Sequence, residues 1–165
     1  MDRGSEDLTL TLTLTLLGAL SSMDSGVEEL TPLGVHLSRL PVDPRVGKLL
    51  LIGAAFGPVA TNHALTVAAS LSGRSPFMSP IDKRDEADRA RQRFVDSTLG
   101  PSDHIAILNA YDAWDRLRGN EKFSFCRENF LGVRSLQSIG GLKRQLLEIL
   151  SDGGFVKRGI TLKEG

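Results

Sequence analysis

The chain has 165 residues, of which 41% are hydrophobic and 24% are charged, and its formal net charge is zero. This composition is typical of a globular domain, and the balanced charge gives no global electrostatic argument for nucleic-acid binding. Apolar runs fall short of the roughly 18 residues of a membrane-spanning helix, so no membrane partner is expected. The single cysteine excludes an intrachain disulfide and fits a cytoplasmic or nuclear location. The three histidines are too far apart in the sequence for a metal-ligand motif.

The first part of the chain is polar and then repetitive. Residues 1–7 are polar and are predicted to be disordered. Residues 8–17 read LTLTLTLTLL, and this strict alternation is typical of a half-buried strand. A polar turn that contains Gly26 follows over residues 21–29. The local pattern alone therefore favours a strand at residues 8–17.

Two amphipathic helices are predicted between Thr31 and Phe56, on either side of the sequence LPVDP. Thr31 is placed to cap the first helix and Asp43 to cap the second, and a proline follows each cap. The prolines restrict the backbone between the two helices and so fix the angle between them. This stretch is predicted to organise the rest of the fold.

Further helical segments follow, separated by glycine and proline residues. The first comes after a Gly-Pro pair, and Asn62 or Thr61 is predicted to cap it. Tyr111 and Trp114 fall at core positions of a later helix, and Cys126 lies among phenylalanines and is predicted to be buried. The later segments are predicted at residues 82–96, 105–114, 122–131 and 135–150.

Four blocks of the sequence resemble one known family. They read LTPLGVHLSRLPVDPRVGKLLLIGAAF at 30–56, LTVAASLSGRSPFMSPIDKRDEADRARQRF at 65–94, SDHIAILNAYDAW at 102–114 and FCRENFLGVRSLQSIGGLKRQLLEIL at 125–150. In order and spacing these blocks are similar to the helicase-associated region of DEAH/DExH-box ATP-dependent RNA helicases. The resemblance extends approximately from Gly18 to Phe155.

This resemblance implies an all-α fold, in which a degenerate winged-helix remnant is followed by a ratchet-like helical bundle. It places a disordered or low-complexity N-terminus and the winged-helix remnant in residues 1–29. The helicase-associated helical domain then occupies residues 30–155, and a tail occupies residues 156–165. In the family, the position of residues 8–17 belongs to a helix, which conflicts with the strand-like alternation. Both structures remain open for this stretch.

The sequence lacks the motifs of nucleotide chemistry. Residues 85–88 spell DEAD, but a magnesium-binding DEAD box follows an apolar strand, whereas this tetrapeptide lies in a charged helix. Its acids are predicted to pair on the surface with Arg84, Arg89 and Arg91. A Gly-Lys pair at 47–48 lacks the glycine spacing and the hydroxyl of a phosphate loop. No catalytic residue, metal site or cofactor is predicted, and ATP and Mg²⁺ are expected to bind only to a separate helicase core.

Positive charge is concentrated at the end of the chain, where residues 115–165 contain 10 basic and 6 acidic groups. In the family that the chain resembles, this region lines part of a channel for single-stranded RNA and contacts mainly the RNA backbone. The resemblance and the charge make these residues candidates for phosphate contacts: Arg74, Lys83, Arg84, Arg127, Arg134, Lys143 and Arg144. For any one of them, an ordinary solvated or salt-bridged side chain is at least as good an explanation.

The positions of the candidates support more specific predictions. Arg127 and Arg134 are seven residues apart, so a continuous helix would place them on one face. Lys143 and Arg144 are predicted to lie on the polar side of the last helix. Three aromatic residues are candidates for stacking on bases, although helical spacing favours core positions for the last two: Phe77, Tyr111 and Trp114.

The leading hypothesis is an accessory region of a DEAH/DExH-box RNA helicase, present as a fragment or a truncated member. Such a chain would contribute to a single-stranded RNA channel, bind RNA weakly on its own and have no ATPase activity. Its expected protein partners are RecA-like helicase domains. The alternative is a stand-alone RNA-binding or adaptor protein that docks on helicase-type partners. A complete enzyme is disfavoured because the phosphate loop is missing.

Overall fold

A computed structural model describes residues 3–22, 28–95, 100–157 and 159–160. Its helices are α1 (Arg3–Leu16), α2 (Pro32–Ser38), α3 (Pro44–Ala55), α4 (Pro58–Leu71), α5 (Arg84–Gln92), α6 (Asp103–Arg116), α7 (Glu121–Glu128) and α8 (Val133–Asp152). A 3₁₀ turn, Ile81–Lys83, precedes α5, and β1 (Leu20–Ser22) pairs in antiparallel register with β2 (Glu28–Leu30). The prediction of an all-α fold is confirmed, since helices account for nearly all the regular structure in the described ranges.

Helix α1 replaces the strand that the alternation of leucine and threonine favours. The helix includes residues 3–7, which the sequence places in a disordered terminus. It ends before Gly18, which adopts a left-handed conformation with a φ of 75°. The Thr31 hydroxyl donates to the carbonyl oxygen of Gly18 at 2.6 Å, and Lys48 Nζ donates to that of Leu17 at 2.8 Å. These bonds attach the end of α1 to the two helices that follow.

The two predicted helix caps are confirmed. Thr31 Oγ1 accepts a hydrogen bond from the backbone N–H of Gly34 at 3.0 Å, and Asp43 Oδ1 accepts one from that of Arg45 at 2.9 Å. A proline occupies the first helical position in both helices. Because these caps depend only on local backbone geometry, the sequence is sufficient to predict them.

The predicted start of α4 is wrong. The helix begins directly after Gly57, so neither Thr61 nor Asn62 caps it. The Thr61 hydroxyl instead donates to the carbonyl oxygen of Gly57 at 2.7 Å, within the first turn of the helix. Gly57 has a φ of 99°, a left-handed conformation that glycine adopts without the strain a side chain would add.

The bounds of the later helices also differ from the predictions, most clearly at two places. The charged helix predicted over residues 82–96 is a 3₁₀ turn followed by α5, which ends at residue 92, and residue 96 lies outside the described ranges. Arg127 and Arg134 do not lie on one continuous helix, because α7 ends at Glu128 and α8 begins at Val133. Phe130 lies between these helices with a φ of 52°, and its left-handed backbone reverses the chain there.

The hydrophobic core is formed mainly by α4, α6 and α8. Tyr111, Trp114 and Cys126 belong to it, which confirms the positions predicted for them. Small residues let α3 approach α4 closely, since a Cβ atom added at Gly53 would lie 2.5 Å from Ala64 Cβ. The least exposed members of the core include Leu65, Ala68, Ala110, Leu136 and Leu150.

The described ranges contain neither a membrane-spanning helix nor a cluster of metal-binding side chains. No helix there has the length and apolar character needed to cross a membrane. No group of three or more histidine, cysteine or acidic side chains is arranged there to hold a metal ion.

Candidate nucleic-acid interface

The loop that follows α4 is bonded to the turn between α7 and α8. Segments 76–78 and 130–132, here called the junction, run antiparallel to each other. The backbone N–H of Gly132 donates to the carbonyl oxygen of Pro76 at 2.7 Å. The backbone N–H of Met78 donates to the carbonyl oxygen of Phe130 at 2.8 Å. Pro76 is fully buried, so the bond to its carbonyl oxygen satisfies a backbone group that water does not reach.

Three of the predicted RNA-binding arginines surround the junction, and all three are exposed. Arg74 lies two residues before Pro76, and Arg134 lies two residues after Gly132, its hydrogen-bonded partner. Since consecutive Cα atoms are about 3.8 Å apart, the Cα atoms of Arg74 and Arg134 are separated by no more than about 20 Å. Arg127 occupies the last turn of α7, directly before the junction. The structure therefore brings a loop arginine to the same region as two arginines on separate helices.

The other exposed candidates lie further from the junction along the chain. Lys83 and Arg84 are exposed where the 3₁₀ turn continues into α5. Arg144 is exposed on α8, ten residues after Arg134 and thus about 15 Å along the helix axis. Its Nε atom donates to the carbonyl oxygen of Gly140 at 3.3 Å. RNA contact by these three residues stays a prediction.

Lys143 is buried, so the prediction that it lies on the polar side of the last helix is wrong. Its side chain is 9% exposed, and Nζ donates to Asn62 Oδ1 at 2.8 Å. Nζ also lies 4.5 Å from the centre of the Tyr111 ring, a distance at which a cation and an aromatic face attract each other. The side chain therefore connects α8 to α4 and α6 in the interior. Sequence reasoning missed this because both partners are distant in the chain.

Burial also changes the pKa values of Lys143 and Tyr111. Loss of water lowers the pKa of Lys143 from its ordinary value of 10.5, and the carboxylates of Asp112 and Asp115 partly oppose that shift. Burial raises the pKa of Tyr111, and the same two carboxylates raise it further. Both pKa values respond to the same two influences, namely burial away from water and the negative charges of Asp112 and Asp115.

Each of the three aromatic candidates packs against neighbouring side chains. Arg91 lies over the Phe77 ring, 5.2 Å from its centre, and Phe94 packs against that ring at 6.0 Å. Tyr111 is 4% exposed and Trp114 is 6% exposed. Their positions favour packing over base stacking, as helical spacing predicts for the last two.

A cleft of about 420 Å³ lies next to the loop that carries Arg74. Arg91 and Asp103, which line it, form an ion pair of 2.6 Å that links α5 to the start of α6. Arg91 therefore pairs outside its own helix, in contrast to the predicted pairing with the DEAD acids. No spacing rule relates these two residues, so the sequence contained no signal for the pair. The cleft is also lined by Ser70, Ser75, Phe77, Asp88 and His104.

The DEAD tetrapeptide and Cys126, two groups that could suggest catalysis, have structural surroundings instead. The three acids of the DEAD tetrapeptide are exposed in the first turns of α5, whereas its alanine is buried. Arg89 Nε donates to the backbone oxygen of Asp85 at 3.1 Å. Cys126 is 1% exposed, and burial raises the pKa of its thiol, an effect that Lys122 partly opposes. A buried thiol with a raised pKa is a poor nucleophile, so Cys126 serves packing.

Comparisons with known proteins point to one family. A family model described as "Helicase associated domain (HA2), winged-helix" matches residues 11–42, and one described as "Helicase associated domain (HA2), ratchet-like" matches residues 43–107. Together the two matches cover more than half of the chain.

Similar curated proteins include the mouse "Putative ATP-dependent RNA helicase DHX57", which is 47% identical over 140 residues. The Arabidopsis thaliana "DExH-box ATP-dependent RNA helicase DExH1" is 48% identical over 146 residues, and the human "ATP-dependent DNA/RNA helicase DHX36" is 41% identical over 160 residues. The alignments cover 83%, 88% and 94% of this chain, but only 10%, 14% and 15% of those proteins. The chain therefore spans a small part of the length of the curated relatives that it matches.

Proposed function

The chain belongs to the helicase-associated domain family of DEAH/DExH-box RNA helicases, and we propose that it forms one wall of a channel for single-stranded RNA. In this proposal it contacts the RNA backbone and contributes no ATPase activity of its own. Its partners in this proposal are the RecA-like domains of a helicase, which supply the nucleotide site.

The observation that carries this proposal is the junction between the loop after α4 and the turn before α8. Its backbone bonds hold Arg74 and Arg134 in one region, with Arg127 at the adjacent end of α7. Arginine side chains bind phosphate oxygens through several parallel donors, and phosphate contacts position a strand without reading its bases. A rigid backbone support beneath exposed arginines suits a surface along which RNA of any sequence passes.

A second candidate function is that of an adaptor that docks on a helicase-type partner. An exposed apolar tip where α3 meets α4 favours it, since Phe56 is 79% exposed and Val59 and Ile52 are about half exposed. Large apolar side chains that are grouped on a surface commonly mark contacts with other domains. Coding sequence for RecA-like motifs upstream and in frame would favour the channel-wall function over a stand-alone adaptor.

The first prediction is weak and salt-sensitive binding of single-stranded RNA by the isolated chain. Non-specific binding of this kind has a dissociation constant of about 10⁻⁴ to 10⁻⁶ M at physiological salt. Changing Arg127→Gln together with Arg134→Gln should weaken binding to unrelated sequences alike and reduce the salt slope by about 0.7 per lost phosphate contact. Fluorescence anisotropy with short labelled oligonucleotides across a salt series measures both quantities.

The control is a double variant with the same change of charge elsewhere. Arg39→Gln with Arg45→Gln removes two exposed arginines from the segment of α2 and α3, which does not include the junction. We expect this control to keep the affinity and salt slope of the wild type. Equal losses in the two double variants would mean that only the overall charge matters, and no loss in either would remove the junction as the RNA-binding surface.

The second prediction is that the purified chain does not hydrolyse ATP, with or without RNA. Phosphate binding in this family requires a glycine-rich loop, a lysine and a hydroxyl that holds Mg²⁺, and the sequence lacks that motif. Phosphate release from purified protein measures the activity directly. Turnover that disappears on changing Asp85→Ala or Glu86→Ala would contradict the prediction and assign chemistry to the DEAD tetrapeptide.

A further inference from the structure

Helix α1 leaves much of its apolar surface uncovered. Leu10, Leu12 and Leu16 are 55%, 60% and 77% exposed, whereas Leu14 and Leu17 are half-buried. Successive residues of an α-helix are rotated by about 100°, so leucines at every second position point to both sides of the helix. One face of α1 can pack on the rest of the same chain, but the helix cannot bury all of these leucines.

The sequence of this segment also matches a strand better than a helix. Threonine alternates with leucine, and its branched Cβ atom lowers helix propensity and raises strand propensity. In an extended conformation every leucine of residues 8–16 would lie on one face and every threonine on the other. The helical state therefore conflicts with the local preference, and none of residues 10–17 belongs to the main hydrophobic core.

We propose that residues 8–17 are a self-association element, which pairs as an extended strand with the same segment of a second copy of this chain. The segment is self-complementary, because pairing with its own copy sets leucine beside leucine on one face of the sheet and threonine beside threonine on the other. It contains no charged residue, proline or glycine that would oppose pairing. A different protein would need a matching pattern, whereas a second copy provides one by identity.

Contacts at the end of α1 hold the element in its helical state within the monomer. Lys48 Nζ donates to the carbonyl oxygen of Leu17, and the Thr31 hydroxyl donates to that of Gly18 at 2.6 Å. Pairing replaces the hydrogen bonds inside the helix by bonds between copies, so it should increase with protein concentration. This proposal does not depend on RNA binding.

The experiment is sedimentation velocity on the full chain over a concentration series, with infrared spectra recorded on the same samples. We expect oligomers that grow with concentration, together with an increase in the β-sheet band. Leu12→Lys should raise the apparent dissociation constant of the dimer at least about tenfold, because each copy would bring an ammonium group into the face of paired leucines, where like charges repel. Ile81→Lys changes a side chain that is 92% exposed outside the segment, and it should behave as the wild type.

A second variant separates strand pairing from the packing of intact helices. Thr11→Ala with Thr15→Ala raises helix propensity and lowers strand propensity, so it should reduce association if the segment pairs as a strand. It should leave association unchanged or stronger if helices pack through their exposed leucines. The proposal is overturned by a wild type that stays monomeric, by oligomers without added β-structure, or by association that resists this double change.

Discussion

Gly34→Ala is expected to lower the free energy of unfolding by about 3 kcal/mol. A Cβ atom at this position would lie 2.0 Å from the backbone oxygen of Ala19 and 2.9 Å from Leu30 Cδ2. The clash with Ala19 cannot be relieved by a rotamer change, because the atom belongs to the backbone. That same oxygen accepts a hydrogen bond from the backbone N–H of Thr31 at 3.0 Å. The backbone would have to shift at the point where α2 meets the start of β1.

Chemical denaturation of the variant and the wild type measures this loss. Gly141→Ala is the matched control, because it adds the same methyl group to a helical glycine with no atom within 4 Å of the new Cβ. In the interior of α8 it should be neutral or stabilise the fold by about 0.5–1 kcal/mol, since alanine favours helix more than glycine does. A Gly34→Ala variant as stable as the control would show that α2 is free to move away from Ala19.

Features set by neighbouring residues were the ones that the sequence predicted well. Thr31 and Asp43 cap their helices as expected, because a cap bonds to a backbone N–H only two or three residues away. The burial of Tyr111 and Trp114 also followed from helical spacing. Both kinds of prediction use information that lies within one or two helical turns.

Residues 8–17 show where local periodicity fails. Their alternation favours a strand, but the helix is attached at its end by Lys48 and Thr31, which lie well outside the segment. A helix satisfies its own backbone groups, whereas a strand needs a neighbour along its length. Only the resemblance to a helicase family pointed to a helix here, and the residues themselves did not.

The candidate interface could be predicted only as a set of exposed basic residues. The exposed positions of Arg74, Arg127 and Arg134 agree with the sequence, but the junction between them depends on the left-handed backbone of Phe130. A bulky residue gives no sign of a positive φ, in contrast to glycine. The burial of Lys143 was missed for a related reason, because its partner Asn62 is 81 residues away.

The second large effect is expected at Lys143. Lys143→Ala should lower the free energy of unfolding by about 2–4 kcal/mol, because it removes a long buried side chain and its hydrogen bond to Asn62. Lys143→Met keeps most of the volume and removes the charge, so it should cost about 1 kcal/mol or less. Thermal and chemical denaturation of the two variants compare the roles of volume and charge directly.

The pH dependence of stability provides an independent check on the buried charge. Burial lowers the pKa of Lys143 in the folded state, so between that pKa and 10.5 the unfolded chain binds more protons than the folded one. Through this group, stability therefore rises with pH across that window. Tyr111 acts in the opposite direction only above its ordinary pKa of 10.0, because its folded-state pKa is raised. Cys126 also opposes the lysine above its ordinary pKa of 9.0, because burial raises the pKa of its thiol. Both opposing groups are present in the Lys143→Met variant, so the difference in stability between the two proteins isolates the lysine.

Lys143→Met should remove this rise, so the stability of the variant relative to the wild type should be greatest at low pH and decline towards pH 10. The His63 and Asp112 pair of 4.0 Å lies nearby but is present in both proteins and cancels in the difference. The same variant should keep the affinity of the wild type for single-stranded RNA, because Asn62 and Tyr111 shield the Lys143 ammonium group of the wild type. A flat stability difference, or a salt slope reduced by about 0.7, would place the ammonium in water and within reach of phosphate.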